Sequence, residues 1–321
     1  MHFSVKIAFL CLLLVAGCSP LPSRTKSPAS YTKAVITRTM VLPQVPSGSD
    51  LIRDGHILYI ISDDAPYLYS YDLISGKLDS AWITTTSSRQ HRMPREAKHD
   101  YEAAVTLPAG NEIVLFASGS KSPTRDVLSV KTQEGWATWN TTAFYSHLRK
   151  EAGLVPHSFN IEGALLLTDD TLLLLNRGSQ QGFVFSWKEL SRHLQRKGTL
   201  PHVDVVNIPL PPEAPYTYSG LAWLGSAGTG KLVFCASQEA TDNAQSDGAV
   251  LGSAVGILNH TAASWQVQNL WPLYDGSGEK AFEKLEGILP DPTDRGHNGR
   301  KFIAITDNDD GQSKLLWIEL R

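Results

Sequence analysis

Five short segments of the chain place a serine or glutamate oxygen just before a small or apolar run. The serine and glutamate positions follow one another at intervals of 53, 60, 57 and 67 residues. Repeats of this length are typical of arrays built from similar structural units. The five segments are Ser49-Asp50-Leu51, Asp100-Tyr101-Glu102-Ala103, Asn160-Ile161-Glu162-Gly163, Tyr218-Ser219-Gly220-Leu221 and Leu285-Glu286-Gly287-Ile288.

Three carboxylates and two hydroxyls at equivalent repeat positions predict one shared cation. Like charges that lie close together repel one another unless something neutralises them. Ca²⁺ accepts about six to eight oxygen ligands with flexible geometry, whereas Zn²⁺ prefers nitrogen and sulfur. We therefore expect a Ca²⁺ site formed by Ser49, Glu102, Glu162, Ser219 and Glu286. The simpler alternative is that each glutamate caps a strand or pairs with an arginine or lysine.

Short β-strands are the elements that must position these residues. Apolar segments bounded by Gly, Asp, Asn or Pro fall into groups of four, except that the last group has only three members. The missing strand is predicted to be Ala34–Leu42, paired with Lys314–Leu320. The pattern predicts an all-β protein, a five-bladed β-propeller whose N-terminal strand closes the ring by pairing with the C-terminal strand. A six-bladed propeller is the alternative.

In a propeller the first strand of each blade lines the central channel, so the five repeated positions are expected to ring one mouth. Two helical segments, Thr142–Ala152 and Trp187–Arg196, interrupt the strand pattern, and Gly153 stands where the first helix should end. The acidic run before Gly311 predicts a polar hairpin turn that brings Asp307 and Asp309 near the same mouth.

The first residues predict a lipoprotein signal peptide over residues 1–17. An apolar stretch too short to span a bilayer ends in Val15-Ala16-Gly17-Cys18, which has the form of a bacterial lipobox. We expect a lipidated Cys18, a tether over residues 18–33 and a propeller domain over residues 34–321. The acyl chains would anchor the protein to a membrane. Ser19 after the cysteine favours the outer membrane, facing the periplasm.

The overall composition excludes some partners and cross-links. The formal net charge is −3 and no long block of Lys or Arg occurs, so we expect no nucleic-acid partner. Cys235 is the only cysteine after the predicted lipidation site, so the mature domain cannot form an intramolecular disulfide.

The ordered set of motifs resembles the calcium-activated nucleotidases, the five-bladed apyrases. Their first-strand signature runs Ser-Asp-Leu, a Glu, Glu-Ser, a Ser-rich step and Tyr-Glu-Gly-Ile, which resembles the five segments above. Asn176-Arg177-Gly178-Ser179-Gln180 resembles their Arg-Arg-x-Ser-Gln run, and Ser237-Gln238-Glu239 resembles a Ser-Glu-Glu run. The resemblance implies that the five repeated residues hold Ca²⁺ and that the substrate is a nucleotide or another phosphate ester.

The departures from that family concern phosphate binding. The apyrase site has an Asp-Asp-Arg-Thr-Gly turn, whereas here Asp63 and Asp64 are followed by Ala65-Pro66. The Arg-Arg pair is reduced to Asn176-Arg177, which removes one cation that could meet a phosphate. The pattern is also similar to a set of bacterial propeller lipoproteins and to the esterase-like phytase propellers.

Two functions follow from these features. In the first, a Ca²⁺-dependent phosphohydrolase, Asp63 or Asp64 orients or deprotonates water. The candidate substrate-binding residues are Lys121, Arg125, Arg177 and Glu239. In the second, the propeller is not catalytic, its Ca²⁺ is structural, and one face binds an envelope protein or a glycan. The reduced set of phosphate-binding residues favours the second.

Overall fold

Strands make up most of the regular structure, as the turn-bounded pattern predicts. The computed structural model describes residues 31–83, 91–108, 112–225, 228, 230–241, 248–261, 264–294 and 299–321. The predicted signal peptide, Cys18 and the tether up to residue 30 lie outside the described residues. None of the helices in the described part of the chain has the length and apolar character needed to cross a bilayer.

The elements follow the predicted groups closely. In chain order the strands are β1 (Ala34–Leu42), β2 (Gly48–Asp54), β3 (Ile57–Ser62), β4 (Tyr67–Asp72), β5 (Leu78–Trp82), β6 (Tyr101–Leu107), β7 (Glu112–Ala117), β8 (Val127–Thr132), β9 (Gly135–Asn140), β10 (Ile161–Leu166), β11 (Thr171–Asn176), β12 (Gln181–Ser186), β13 (Val203–Asn207), β14 (Thr217–Trp223), β15 (Lys231–Glu239), β16 (Val250–Thr261), β17 (Ser264–Tyr274), β18 (Leu285–Pro290), β19 (Lys301–Asp307) and β20 (Ser313–Leu320). Helix α1 (Thr142–Glu151) follows β9, and helix α2 (Trp187–Leu194) follows β12.

The strands form four-stranded antiparallel runs around a common centre. Three sheets contain β2–β5, β6–β9 and β10–β13, each in sequence order. The fourth sheet, ordered β14-β15-β16-β17-β1-β20-β19-β18, splits into two such runs where β1 meets β17 in parallel. The first strands β2, β6, β10, β14 and β18 are neighbours in that order, and β18 lies beside β2 again. This is the architecture of a β-propeller.

The pairing of the two terminal strands is confirmed. Strand β1 runs antiparallel to β20, from Ala34 opposite Leu320 to Leu42 opposite Ser313. The pairing completes the last run, which has only three strands of its own. The edge of β20 is thereby covered, so this run does not expose a strand edge there for pairing with other chains.

Apolar side chains between neighbouring runs form the core. One cluster joins β6–β8 to β10–β12 and includes the buried face of α1, formed by Phe144, Tyr145 and Leu148. Helix α1 ends as predicted, because Gly153 has a φ of 64° and the Leu154 amide donates to the Arg149 carbonyl at 2.8 Å. Helix α2 contributes Leu190 to the same cluster, so both helices pack against the second and third runs.

Each first strand contains a β-bulge at the predicted repeat position. The strand pairings skip one residue in every first strand, so that this residue has no partner opposite it. The skipped residues are Ser49, Glu102, Glu162, Ser219 and Glu286. The five positions are structurally equivalent, as their spacing predicts.

The residue after three of the bulges is glycine because neighbouring first strands come very close there. A Cβ on Gly287 would lie 2.7 Å from the backbone nitrogen of Leu51 and 2.8 Å from the Cα of Asp50. A Cβ on Gly220 would lie 2.6 Å from the carbonyl oxygen of Glu286. Both obstructions are backbone atoms, which cannot rotate away as a side chain can.

We predict that Gly287→Ala destabilises the protein by about 1–3 kcal/mol, the usual cost of overpacking. Gly276→Ala is the matched control, because its Cβ would meet only the Ile36 carbonyl at 3.7 Å, an ordinary contact. Urea unfolding midpoints measure both variants. Equal midpoints for the two variants would contradict close contact between β18 and β2.

Candidate functional site

A polar cavity of about 340 Å³ opens where the first strands begin. Its wall combines bulge residues, residues just before the first strands, and residues just after the second strands. Within the described residues, β14–β17 contribute nothing to the wall, so the cavity lies off the centre of the ring. The wall is formed by Ser47, Ser49, Asp63, Asp64, Arg92, Met93, Arg95, Lys98, Asp100, Glu102, Ser120, Arg125, Asn160, Glu162, Arg177, Lys284, Glu286, Asp307 and Asp309.

Four of the five residues predicted to bind Ca²⁺ reach this cavity, and Ser219 does not. The Ser219 hydroxyl donates to the carbonyl of Leu285 at 2.6 Å, and that of Ser49 donates to the carbonyl of Tyr101 at 2.6 Å. Each serine thus joins one first strand to the next, β14 to β18 and β2 to β6. Both hydroxyl protons are thus used in hydrogen bonds to backbone carbonyls. Ser219 is also fully buried between strands.

Two of the predicted glutamates belong to a buried ion-pair network. Arg177 Nη1 lies 3.3 Å from Glu162 Oε1, and the same guanidinium contacts Glu239. Lys284 Nζ lies 3.0 Å from Glu286 and 3.3 Å from Glu239. Glu239 therefore links two cations, each of which also holds one bulge glutamate. Glu162 and Glu286 therefore fit the alternative expectation, in which each glutamate pairs with an arginine or lysine.

A second network lies on the β2–β9 side of the cavity. Lys98 Nζ contacts Asp63 Oδ2 and lies 2.9 Å from Asp100 Oδ1. Arg125 Nη1 donates to Asp100 Oδ2 at 2.6 Å. Asp64 accepts from Arg92 Nε at 2.6 Å at the mouth, where the Arg92 side chain is half exposed. These contacts fix Asp63, Asp64 and Asp100 within one corner of the cavity.

Glu102 differs from the other two bulge glutamates. Among the described residues its carboxylate makes no hydrogen bond and no ion pair. One carboxylate oxygen each from Glu102, Asp63 and Asp100 lie within 4.8 Å of one another. Burial, followed by the charges of Asp100 and Glu162, raises the pKa of Glu102 well above its ordinary value. Burial also raises the pKa of Asp63 to about 7.

Glu286 also has a carboxylate oxygen that could accept a further hydrogen bond or bind a cation. Its Oε2 atom is buried and makes no hydrogen bond, although Oε1 contacts Lys284. Burial raises the pKa of Glu286 well above its ordinary value even with Lys284 beside it. The cavity therefore holds more negative charge than its own cations neutralise, and either a proton or a cation would lower its energy.

Only some of the other predicted site residues line the cavity. Asp63, Asp64, Arg125 and Arg177 line the cavity, whereas Lys121 is exposed and lies outside its wall. Glu239 does not line the cavity but holds two residues that do. Asp307 and Asp309 lie in the wall, on the predicted hairpin between β19 and β20.

The prediction from sequence missed Lys98, Asp100 and Lys284. Two of them stand two residues before a bulge, a position that is polar in every repeat. The five residues at this position are Ser47, Asp100, Asn160, Thr217 and Lys284. Extending the repeat alignment by two residues would have found Asp100 and Lys284. Lys98 has no equivalent in the other repeats and follows no repeat signal.

The model of a family of unknown function (DUF6929) matches residues 44–320, which include β2 to β20. The chain belongs to this family. The matched residues include all five bulges and every residue of the cavity wall. The sequence resemblance to apyrases stays a prediction. A search of curated proteins gives no significant match.

Several solved structures have a similar fold at low sequence identity. Myxococcus xanthus glutaminyl cyclase has a TM-score of 0.49 and 10% identity, over 91% of this chain and 100% of that chain. The WD40 repeats of RRP9 give 0.45 and 9%, over 91% and 100%. Streptogramin B lyase gives 0.37 and 12%, over 87% and 97%.

We predict that Arg177→Gln destabilises the fold by about 3–5 kcal/mol, because it leaves buried carboxylates without their partner. In the double variant with Glu239→Gln, one of those charges is also removed, so the loss should be less than the sum of the single losses by about 0.5–3 kcal/mol. Denaturant unfolding measures this cycle. Lys77→Gln, in an exposed pair with Asp79, is the control and should change little. Strictly additive losses would show that Arg177 and Glu239 are not coupled.

Proposed function

We propose that the protein is a five-bladed, envelope-anchored β-propeller that binds Ca²⁺ in its cavity. Five antiparallel runs of four strands, with first strands in cyclic order, support the blade count. The pairing of β1 with β20 supports ring closure by both chain ends. The lipobox at Cys18 supports lipidation and attachment to the outer membrane, facing the periplasm.

The donor set of the cavity supports a smaller cation site than the five repeated residues suggest. Ser219 lies away from the cavity, and Glu162 and Glu286 lie in the other ion-pair network, with Arg177 and Lys284. Asp63, Asp100 and Glu102 instead offer oxygens within 4.8 Å of one another. These are hard oxygen ligands of the kind that Ca²⁺ prefers, and water would complete the shell.

The balance of charge also supports a divalent ion. Among the described residues, eight carboxylates and six cationic side chains line the cavity. When all of these groups are ionised, the wall carries two more negative than positive charges, which is the charge that one Ca²⁺ neutralises. The unpaired Glu102 carboxylate is the single observation that carries the proposal, because a partly buried anion without a partner is costly.

A phosphate ester is the substrate class that we propose for this site. A bound Ca²⁺ would polarise a phosphoryl oxygen there. Asp64 lies in the same wall, and its buried Oδ1 makes no hydrogen bond, so it can accept one from an attacking water. At the mouth Arg95 is exposed and, in the described part of the chain, has no carboxylate partner. It is therefore available to an incoming anion.

One observation favours a non-catalytic alternative. The inner cations Lys98, Arg125, Arg177 and Lys284 all contact carboxylates, so a phosphate would have to compete with these carboxylates for them. In this alternative the ion is structural, and the propeller binds a protein or a glycan at the envelope.

We predict that Ca²⁺ raises the melting temperature, since an ion that binds only the folded state stabilises it by about 2.7 kcal/mol at 100 times its Kd. Mg²⁺ should act more weakly, because it requires stricter geometry. Glu102→Gln should reduce the Ca²⁺ effect, whereas Glu134→Gln, at an exposed turn, should not. Thermal unfolding with added CaCl₂ or chelator measures this. A Glu102→Gln protein that responds like the wild type would rule out this cation site.

We also predict Ca²⁺-dependent phosphate release from nucleoside diphosphates or other phosphate esters. Asp64→Asn should lower the rate roughly 100-fold or more, as expected for loss of a group that positions or activates water. Glu134→Gln should keep the wild-type rate. A colorimetric phosphate assay with and without Ca²⁺ measures this. Stabilisation by Ca²⁺ without any phosphate release would contradict the phosphohydrolase proposal and favour the non-catalytic alternative.

A further inference from the structure

Lys98 contacts two of the three carboxylates that form the proposed cation site. Its ammonium contacts Asp63 and lies 2.9 Å from Asp100, and its side chain is only 16% exposed. The third carboxylate of the site, Glu102, lies within 4.8 Å of these two. The ammonium donates hydrogen bonds to carboxylate oxygens, the same atoms that would coordinate a Ca²⁺ ion.

A Ca²⁺ ion and this ammonium cannot share the position. Ca²⁺ binds oxygen at about 2.3–2.6 Å, so oxygens within 4.8 Å of one another suit one ion at their centre. The ammonium lies against two of the same three carboxylates, and the two positive charges would repel one another there. We propose that Lys98 is an internal counter-ion that a divalent cation displaces, and that it sets the selectivity of the site; this rests on the proposed function.

The charges explain why the exchange favours divalent ions. In the ionised form that binds a cation, Asp63, Asp100 and Glu102 carry three negative charges, and Lys98 and Arg125 supply two positive charges. Replacing the ammonium by a divalent ion makes this group neutral. Replacing it by Na⁺ leaves the charge unchanged and also leaves the ammonium without its partners. Lys98 therefore protects the site from monovalent ions.

The exchange also changes the segment that carries Lys98. Residues 91–100 run beside the mouth and supply Arg92, Met93 and Arg95 to the wall. The segment is held by Lys98, by Arg92 on Asp64, and by the Met93 amide, which donates to the Asp64 carbonyl at 2.6 Å. Release of Lys98 removes a side-chain contact in the middle of the site. The contacts at Asp64 remain, and so does the Asp100 amide, which donates to the Asp63 carbonyl at 3.1 Å. We expect the segment to loosen when the ion binds.

The test compares Lys98→Met with Arg95→Met. Arg95 also lines the cavity and carries one positive charge, but it contacts no carboxylate among the described residues. Calorimetric titration with CaCl₂ should show that Lys98→Met binds at least about 10-fold more tightly than the wild type, or 1.4 kcal/mol. Arg95→Met should gain clearly less, because it loses only the general electrostatic effect. Lys98→Gln serves as a second variant if Lys98→Met does not fold.

Hydrogen exchange of residues 91–99 distinguishes competition from simple charge repulsion. In the wild type, Ca²⁺ should increase amide exchange in this segment, and in Lys98→Met it should not. Equal gains in affinity for the two variants, or slower exchange in the wild type with Ca²⁺, would overturn the exchange proposal. Failure of every variant and of the wild type to bind Ca²⁺ would instead reject the cation site itself.

Discussion

The one-residue β-bulge in each first strand determines where the polar groups of the cavity lie. Each bulge leaves one side chain without a partner opposite it, so that this side chain turns toward the neighbouring first strand or the cavity. At two of the bulges, close approach of the first strands then requires glycine as the next residue, Gly220 and Gly287. The ring geometry and the site chemistry thus depend on the same local irregularity.

Buried charge follows from that geometry. Glutamates at three bulges enter a small volume, and their repulsion must be offset within the fold. Arg177 and Lys284 offset it on one side, with Glu239 joining the two cations. Lys98 and Arg125 offset it on the other, where Glu102 keeps no partner of its own in the described structure. The two sides of the cavity therefore differ, because only the side with Glu102 keeps a carboxylate without a partner among the described residues.

Repeat spacing and strand patterns were sufficient to predict the strand groups, the pairing of β1 with β20 and the five equivalent positions. They could not predict the orientation of the hydroxyls at Ser49 and Ser219, because that depends on how closely two strands approach across the ring. Sequence patterns also could not predict that Glu239 links Arg177 and Lys284, because these partners come from two other four-stranded runs. Lys98 lies in an irregular segment, where no periodicity relates sequence to position.

The two ends of the described chain meet at one point of the fold. The Thr32 amide donates to the Arg321 carbonyl at 2.8 Å, and the Arg321 amide donates to the Lys33 carbonyl at 2.9 Å. Ala34 at the start of β1 is opposite Leu320 at the end of β20. A pulling force on the amino end would therefore load one terminal pair at a time, as in unzipping, rather than all pairs together.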